Sequence, residues 1–192
     1  MLSNRIAGAF TFNRAVFAEV ENDSSFTSTA WLIVIVVGFL NQLGAYAGEG
    51  VAQWILGAVL GTVGVVIGFA VAAFVISLVG RAVFNAQVSF DELVRTLGLA
   101  YVWNVIGFIG VLGGFSTALA CLLSPVLIIG ALLGLVAWFV AAKEALDLEW
   151  LQTIVTVVLG WLALLIVIAI TGAILGLLGL AAAGIGGLLS PG

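Results

Sequence analysis

Charged residues are sparse along the chain and leave four long stretches that carry no charge. These stretches are residues 24–48, 50–80, 96–142 and 150–192. A helix needs about 20 consecutive apolar residues to cross roughly 30 Å of hydrocarbon. Each of the first two stretches can hold one such helix, and we predict membrane spans over residues 30–46 and 51–78.

The third stretch is too long for a single span. It contains a glycine pair at 113–114 and a serine–proline pair at 124–125, and both disfavour a continuous helix. We therefore predict two spans here, over residues 93–112 and 123–142.

The fourth stretch is predicted as one long, tilted span over residues 151–178. A sixth crossing would need a polar turn near Thr171 and Gly172, and the sequence shows none there. The pattern thus predicts an all-α, polytopic transmembrane bundle with five spans over residues 25–180, followed by a glycine-rich tail at 181–192.

The segment before the first span, residues 1–24, is amphipathic. Ile6, Phe10 and Phe17 share one face at helical spacing, while Phe12 falls outside that stripe. This pattern is typical of a helix that lies in the membrane surface with its apolar side in the lipid. We predict such an interfacial helix on the cytoplasmic leaflet, with membrane lipids as its partner.

Composition supports one membrane domain and excludes several kinds of function. Of the 192 residues, 64% are hydrophobic and 7% are charged, whereas soluble domains are about a quarter charged. The chain has no histidine and one cysteine, Cys121, so the usual general base and the commonest metal ligand are missing. A net charge of −4 does not favour nucleic acid. We expect no enzyme activity, no cofactor and no metal.

The basic residues predict an orientation. They precede span one, join spans two and three, or join spans four and five, so all of them fall on one face of the membrane. These residues are Arg5, Arg14, Arg81, Arg95 and Lys143. Cytoplasmic loops are enriched in Lys and Arg, so we expect a bacterial plasma membrane protein with a cytoplasmic amino terminus and an outside carboxyl terminus. We expect no charge within a span, so the usual signature of an ion pathway is missing.

Two polar features stand near the third span. Ser89 and Glu92 have the spacing of a capping box, which marks a helix start. Asn104 lies near the middle of that span, and we expect its amide to hydrogen-bond a neighbouring helix rather than a substrate.

Glycines recur at intervals of three and four residues in three of the predicted spans. They are Gly57, Gly61, Gly64 and Gly68 in span two, Gly130 and Gly134 in span four, and Gly172 and Gly176 in span five. Such spacing lets helix backbones approach closely. The pattern predicts a packing interface, but the partner helix can lie in this chain or in another.

Three stretches together resemble the Yip family, the Rab-GTPase-interacting membrane proteins and their bacterial relatives. They are residues 5–10 leading to 16–21, residues 80–84 through 89–93 to 97–101, and residues 145–149 before span five. The family often has proline where this chain has Trp103, so a helix break there is not expected from the resemblance.

The resemblance implies five spans, a cytosolic amino terminus, and a role in membrane trafficking or scaffolding through protein contacts without catalysis. The extended acidic region of the eukaryotic members has no counterpart here, so GTPase binding is not carried over.

Two functions remain open from the sequence. The first is a non-enzymatic membrane scaffold or adaptor that acts through helix–helix contacts, with another membrane protein or itself as partner, including as an accessory subunit of a larger complex. The second is a small transporter or channel for a neutral solute, in which the glycines of span two and Asn104 line the path.

Overall fold

A computed structural model describes residues 2–48 and 50–189 of the chain, and these residues form helices and short connections without a β-strand. Five helical segments are long and apolar enough to cross a membrane. They are Ser24–Ala45, Val51–Phe84, Phe90–Gly113, Thr117–Leu146 and Trp150–Ile174. The predicted all-α bundle of five spans is confirmed.

Spans one, two and three are built from successive helices of the chain. Span one is a short 3-10 turn, Ser24–Phe26, continued by α3, Thr27–Ala45. Span two is the single helix α4, Val51–Phe84. Span three is composite: α5 covers Phe90–Ala100, a 3-10 segment covers Tyr101–Ile109, and α6 covers Gly110–Gly113.

Span four begins earlier than the sequence predicted. Helix α7, Thr117–Leu146, starts after the Ser116 cap, whose side chain accepts a hydrogen bond from the Ala118 amide, and it contains Pro125. A proline inside a helix leaves the carbonyl four residues earlier without its amide donor. Here that carbonyl belongs to Cys121, and the Ser124 hydroxyl donates to it at 2.9 Å. The serine–proline pair is therefore accommodated inside the helix and does not break it.

Span five is the amino-terminal part of one long helix, α8, Trp150–Leu189. The helix continues through residues 181–189, the first part of the glycine-rich tail that the sequence predicts. Residues 190–192 of that expected tail lie outside the described residues.

The amino-terminal segment is two helices and not one. Helix α1, Leu2–Phe10, and helix α2, Arg14–Asn22, are separated by a turn in which Phe12 has a positive φ of 55°. A bulky residue rarely takes this conformation, so the tertiary contacts of Phe12 must hold it there.

Both short helices pack against the protein. Phe17 is 0% exposed, and Ala9 and Val20 are buried with it in the core. Ile6 and Phe10 are partly buried against the same core. The prediction that this apolar stripe faces lipid is wrong for Phe17, because a side chain without exposed surface cannot contact the bilayer. The stripe covers α5 and the 3-10 segment instead.

Phe69 of α4 lies at the centre of the core. Its ring meets Trp31, Tyr101 and Trp138 edge-on, with ring centroids 5.5, 5.9 and 5.9 Å away. These partners come from α3, the third span and α7, so one aromatic cluster joins four spans. The long outer faces of α7 and α8 carry exposed Leu, Ile and Val, as expected for surfaces in contact with lipid.

The glycines of α4 all lie at helix contacts within this chain. A Cβ built on Gly57 would meet the Tyr46 ring at 2.7 Å, and one on Gly61 would meet the Gln42 side chain at 2.8 Å. Farther along the helix, a Cβ on Gly64 would meet Thr171 of α8 at 2.6 Å. One helix therefore uses its glycines to approach α3 at one end and α8 at the other.

The other predicted glycine positions divide into two groups. A Cβ on Gly130 would meet Ile106 at 2.7 Å, and one on Gly134 would make an ordinary contact with Trp103 at 3.4 Å. By contrast, no atom of the described part of the chain lies within 4 Å of a Cβ built on Gly172 or Gly176. The small-residue face of α8 is thus uncovered in this part of the chain.

Gly61→Leu should lower the thermal midpoint of the protein in detergent, because the new side chain must displace Gln42 and Tyr46. Overpacking of this kind costs about 1–3 kcal/mol. Thr62→Val should change stability by about 0.6 kcal/mol or less, since the Thr62 hydroxyl bonds only the Ala58 carbonyl of its own helix. Gly172→Leu is the matched control, and equal midpoints for the two leucine variants would contradict this packing.

Candidate functional site

Arg95 is the best-defined polar centre of the molecule. It lies on α5, is 7% exposed, and its guanidinium reaches the carboxyl-terminal end of α2. Nε donates to the Val20 carbonyl at 3.0 Å and to the Glu21 carbonyl at 2.9 Å, and a second guanidinium nitrogen also donates to Glu21. In a fourth hydrogen bond, Nη1 donates to the Thr27 hydroxyl at 3.3 Å.

This arrangement corrects the expectation that no charge lies within a span. Arg95 belongs to the third span, Phe90–Gly113, and is buried in it. The last carbonyls of a helix have no partner within that helix, and a planar guanidinium can satisfy two of them together. The Val20 carbonyl also accepts from the Asp23 amide at 3.2 Å, so Arg95 adds a second donor there and supplies donors to the Glu21 carbonyl.

The capping box in the sequence indicates where Arg95 lies. Ser89 and Glu92 form the predicted capping box, with the Ser89 amide donating to Glu92 at 2.6 Å and the Glu92 amide donating to Ser89 at 3.2 Å. The box fixes the start of α5, and Arg95 then falls in the second turn of a helix that enters the membrane. Such a residue needs an internal partner.

Trp103 holds the turn between α1 and α2. Its indole Nε1 donates to the Ala9 carbonyl at 3.2 Å, close to the end of α1. The Phe10 ring meets the indole edge-on with centroids 5.1 Å apart, and the Phe12 ring stacks on it at 5.3 Å. The stacking explains both the positive φ of Phe12 and its absence from the helical stripe.

Ion pairs complete the attachment of the amino-terminal helices. Arg5 bonds Glu19 at 2.7 Å and Asp23 at 2.8 Å, and its guanidinium lies 5.0 Å from the Phe26 ring centroid. Arg14 pairs with Glu144 near the end of α7. The first ion pairs join α1 to α2, and the last joins α2 to the end of span four.

Glu21 lies among several acidic groups at this end of the bundle. Burial is the main cause that raises the pKa of its carboxyl from 4.5 to about 7, and the nearby charges of Asp147, Glu92 and Glu144 raise it further. The positive charge of Arg95 acts in the opposite direction. The Glu21 carboxyl is therefore partly protonated near neutral pH, which reduces repulsion within the acidic group.

The second polar region lies farther along the third span. Asn41 of α3 donates from Nδ2 to the backbone carbonyl of Asn104 at 2.9 Å. Contrary to the prediction, the Asn104 side chain does not bond a neighbouring helix; its Nδ2 donates to the Tyr101 carbonyl of its own segment at 3.2 Å. The interhelical amide contact exists, but Asn41 supplies the side chain and Asn104 the backbone.

The 3-10 segment brings α3 unusually close. A Cβ built on Gly44 would overlap the Gly107 carbonyl, and one on Gly110 would meet the Gly44 carbonyl oxygen at 3.0 Å. A 3-10 stretch of this length within a helix is uncommon and often marks a functional or strained region. It begins at Tyr101 and includes Trp103, so the helix departs from α geometry here without the proline that the family often has.

A cavity of about 220 Å³ lies between α3, the 3-10 segment and α7. Asn41 and Asn104 are its polar lining residues, and the glycines at 44, 107, 110 and 130 shape its wall. Of the predicted site residues, the structure brings Asn104 and Gly130 together here. The glycines of α4 do not contribute, because neighbouring side chains occupy the space beside them.

The described residues contain no group of three or more acidic, His or Cys side chains that could hold a metal ion. Among them, Thr153 has the one buried side-chain oxygen or nitrogen that lacks a hydrogen-bond partner. The other buried side-chain polar atoms of the described residues have hydrogen-bond partners, which for Arg95 and Trp103 lie at the ends of α2 and α1.

Comparison with known protein families gives a match that runs from the first amino-terminal helix into the fifth span. Residues 7–172 match the family model described as the Yip1 domain. The chain belongs to the Yip1 domain family. The Yip1 domain match begins within α1, in agreement with the packing of α1 and α2 against the third span. No curated protein and no solved structure matches the chain.

Arg95→Leu should release α2 from the third span, because the Glu21 carbonyl loses its donors and the Val20 carbonyl keeps only the Asp23 amide. An unsatisfied buried acceptor costs about 1–3 kcal/mol, so we expect a lower thermal midpoint and faster trypsin cleavage after Arg14. Arg95→Lys should give an intermediate result, since an ammonium group cannot reproduce the planar fork.

Arg81→Leu is the matched control for this experiment. Arg81 is exposed in the last turn of α4, near the same membrane face. Cleavage after Arg14 that is equally fast in the Arg95→Leu and Arg81→Leu variants would show that Arg95 does not hold α2.

Proposed function

We propose that this Yip1 domain is a non-enzymatic membrane scaffold that binds another membrane protein, or a second copy of itself, through helix–helix contacts. The observation that carries the proposal is the uncovered small-residue face of α8. Among the described residues, no atom lies within 4 Å of a Cβ built on Gly172 or Gly176, and Ala169 and Ala173 beside them are exposed.

The glycines of α4 are packed within the chain, whereas those of this α8 face have no such contact among the described residues. Each glycine of the α4 stripe already packs against α3 or α8. Lipid gives helices no hydrophobic drive to associate, so close backbone approach at small residues is a main source of packing energy in membranes. An equivalent face on α8 without a partner in the described chain suits a contact with a second protein.

The polar groups of the described residues support a non-catalytic role. Arg95 bonds α2 carbonyls, Trp103 bonds α1, and Asn41 bonds the third span. A guanidinium is not deprotonated in proteins, an indole N–H only donates, and a side-chain amide does not titrate, so these groups are poor acids, bases or nucleophiles. The arrangement therefore favours a rigid binding module.

The double variant Gly172→Leu/Gly176→Leu tests the scaffold. Its side chains enter open space within the chain, so the thermal midpoint should stay near that of wild type. Association should be lost, because bulky side chains prevent the close approach of a second helix. Membranes would be solubilised in a mild detergent, and stoichiometric partners and self-association measured by mass spectrometry and sedimentation.

Ala118→Leu is the matched control, since Ala118 is an exposed small residue on α7. A partner retained by the α8 double variant, or lost equally from the Ala118→Leu variant, would refute the α8 interface. A clean wild-type monomer that carries a neutral solute into liposomes would instead favour the alternative, a small transporter, for which the cavity beside Asn104 is the remaining structural support.

We also propose that the amino terminus is cytoplasmic and the carboxyl terminus outside, in a bacterial plasma membrane. The amino-terminal helices, Arg81 and Lys143 lie at the ends of spans that share one face, and cytoplasmic faces are rich in basic residues. Tags at the two termini should therefore differ in accessibility in sealed cells. Tags accessible on the same side would overturn both the orientation and the odd number of crossings.

A further inference from the structure

We propose that the cavity between α3, the 3-10 segment and α7 binds the polar end of an uncharged lipid that carries a free hydroxyl group, such as a monoacylglycerol or diacylglycerol. This assignment does not depend on what α8 binds. It rests on the shape of the cavity, its free hydrogen-bond acceptors, and its depth in the membrane.

The cavity offers acceptors that the described chain leaves unused. The Asn41 and Asn104 side chains both use their NH₂ groups as donors, to the Asn104 and Tyr101 carbonyls. Within residues 2–48 and 50–189, neither side-chain amide oxygen accepts a hydrogen bond. Both residues line the cavity, and neither amide oxygen is fully buried. A ligand hydroxyl group can therefore reach these oxygens and supply the donor that they lack.

Charge selects the class of ligand. None of the described residues that line the cavity is ionised, and a charged head group would leave water for a site without a counter-charge, at high cost. A hydroxyl group needs only a hydrogen-bond partner. This favours an uncharged polar end over a phosphate or a carboxylate.

The position of the cavity favours a membrane lipid as the source. Asn41 lies four residues before Ala45, where the first span ends, which is about 6 Å along a helix. The Asn41 end of the cavity thus lies just inside the membrane face where span one ends, at the depth where the hydroxyl of a glycerolipid would be found, and the Trp103 end extends toward α1. Of the lining residues, Ala45 of α3 and Ala131 of α7 are exposed, so the cavity opens between these two helices.

The volume fits only part of a lipid. At about 220 Å³ the cavity is smaller than the roughly 300–1,000 Å³ of pockets that enclose drug-sized ligands. It can hold the glycerol end while the acyl chain passes between the two alanines into the bilayer.

Native mass spectrometry of the purified protein with 1-monooleoylglycerol tests the proposal. We expect one saturable adduct, and about tenfold weaker binding of methyl oleate, which has the same acyl chain but no hydroxyl group. Asn104→Leu should weaken monooleoylglycerol binding about tenfold, the size expected for one lost hydrogen bond. Its cross-helix contact should persist, because Asn41 bonds the backbone carbonyl of residue 104.

Thr171→Val is the matched control, a polar-to-apolar change on α8 whose hydroxyl bonds only Val167. It should bind monooleoylglycerol as wild type does. If Asn104→Leu fails to fold, Ala131→Phe provides a second variant that blocks the opening and should abolish the adduct.

Equal binding of monooleoylglycerol and methyl oleate would overturn the proposal, as would wild-type affinity in a folded Asn104→Leu protein. Glycerol that displaces monooleoylglycerol and binds with equal affinity would overturn the assignment to a lipid and indicate a soluble polyol.

Discussion

The fold depends on how helix ends are satisfied where little water is available. The last carbonyls of α1 and α2 lack the regular helical amide partner four residues on, and the third span supplies a side-chain donor at both helix ends. Arg95 bonds the end of α2, and Trp103 bonds the end of α1. The third span is therefore the common support of the amino-terminal helices, and these helices are part of the membrane domain.

The third span also contains a buried arginine and a 3-10 segment. Its first half, α5, is regular and buried, and it holds Arg95. Its middle is a 3-10 segment whose glycines allow α3 to approach at backbone distance. A tighter helix presents fewer side chains per unit length, so close contact with α3 at Gly44 and Gly107 coexists with a cavity beside Asn104.

Much of the architecture could be predicted from hydropathy alone, because each crossing needs an apolar run of a certain length. The start of α5 followed from the Ser89–Glu92 capping box, and the positions of the α4 glycines at helix contacts followed from their spacing. The errors arose where tertiary contacts override local patterns. Ser124 donates to the Cys121 carbonyl that Pro125 leaves free, so that proline does not end a helix.

The candidate site was harder to predict, because its residues are distant in sequence. The amphipathic stripe of residues 1–24 indicated an apolar surface, but an apolar face can pack on protein or on lipid with the same periodicity. The charge pattern placed Arg95 with the loop charges, although its position after the capping box puts it inside the span. Asn104 stands out in the sequence as a polar residue in the membrane, but Asn41, its interhelical partner, has no motif to mark it.

The attachment of α1 and α2 to the third span also sets an order for biogenesis. Ala9 and Trp103 are 94 residues apart, so the first two helices leave the ribosome long before their binding surface exists. At translation rates of about 5–20 residues per second, they wait roughly 5–20 seconds for that surface. During this interval their apolar stripe has only the membrane surface or a chaperone to cover it, and so the amphipathic character of this segment suits the nascent chain as well as the finished fold.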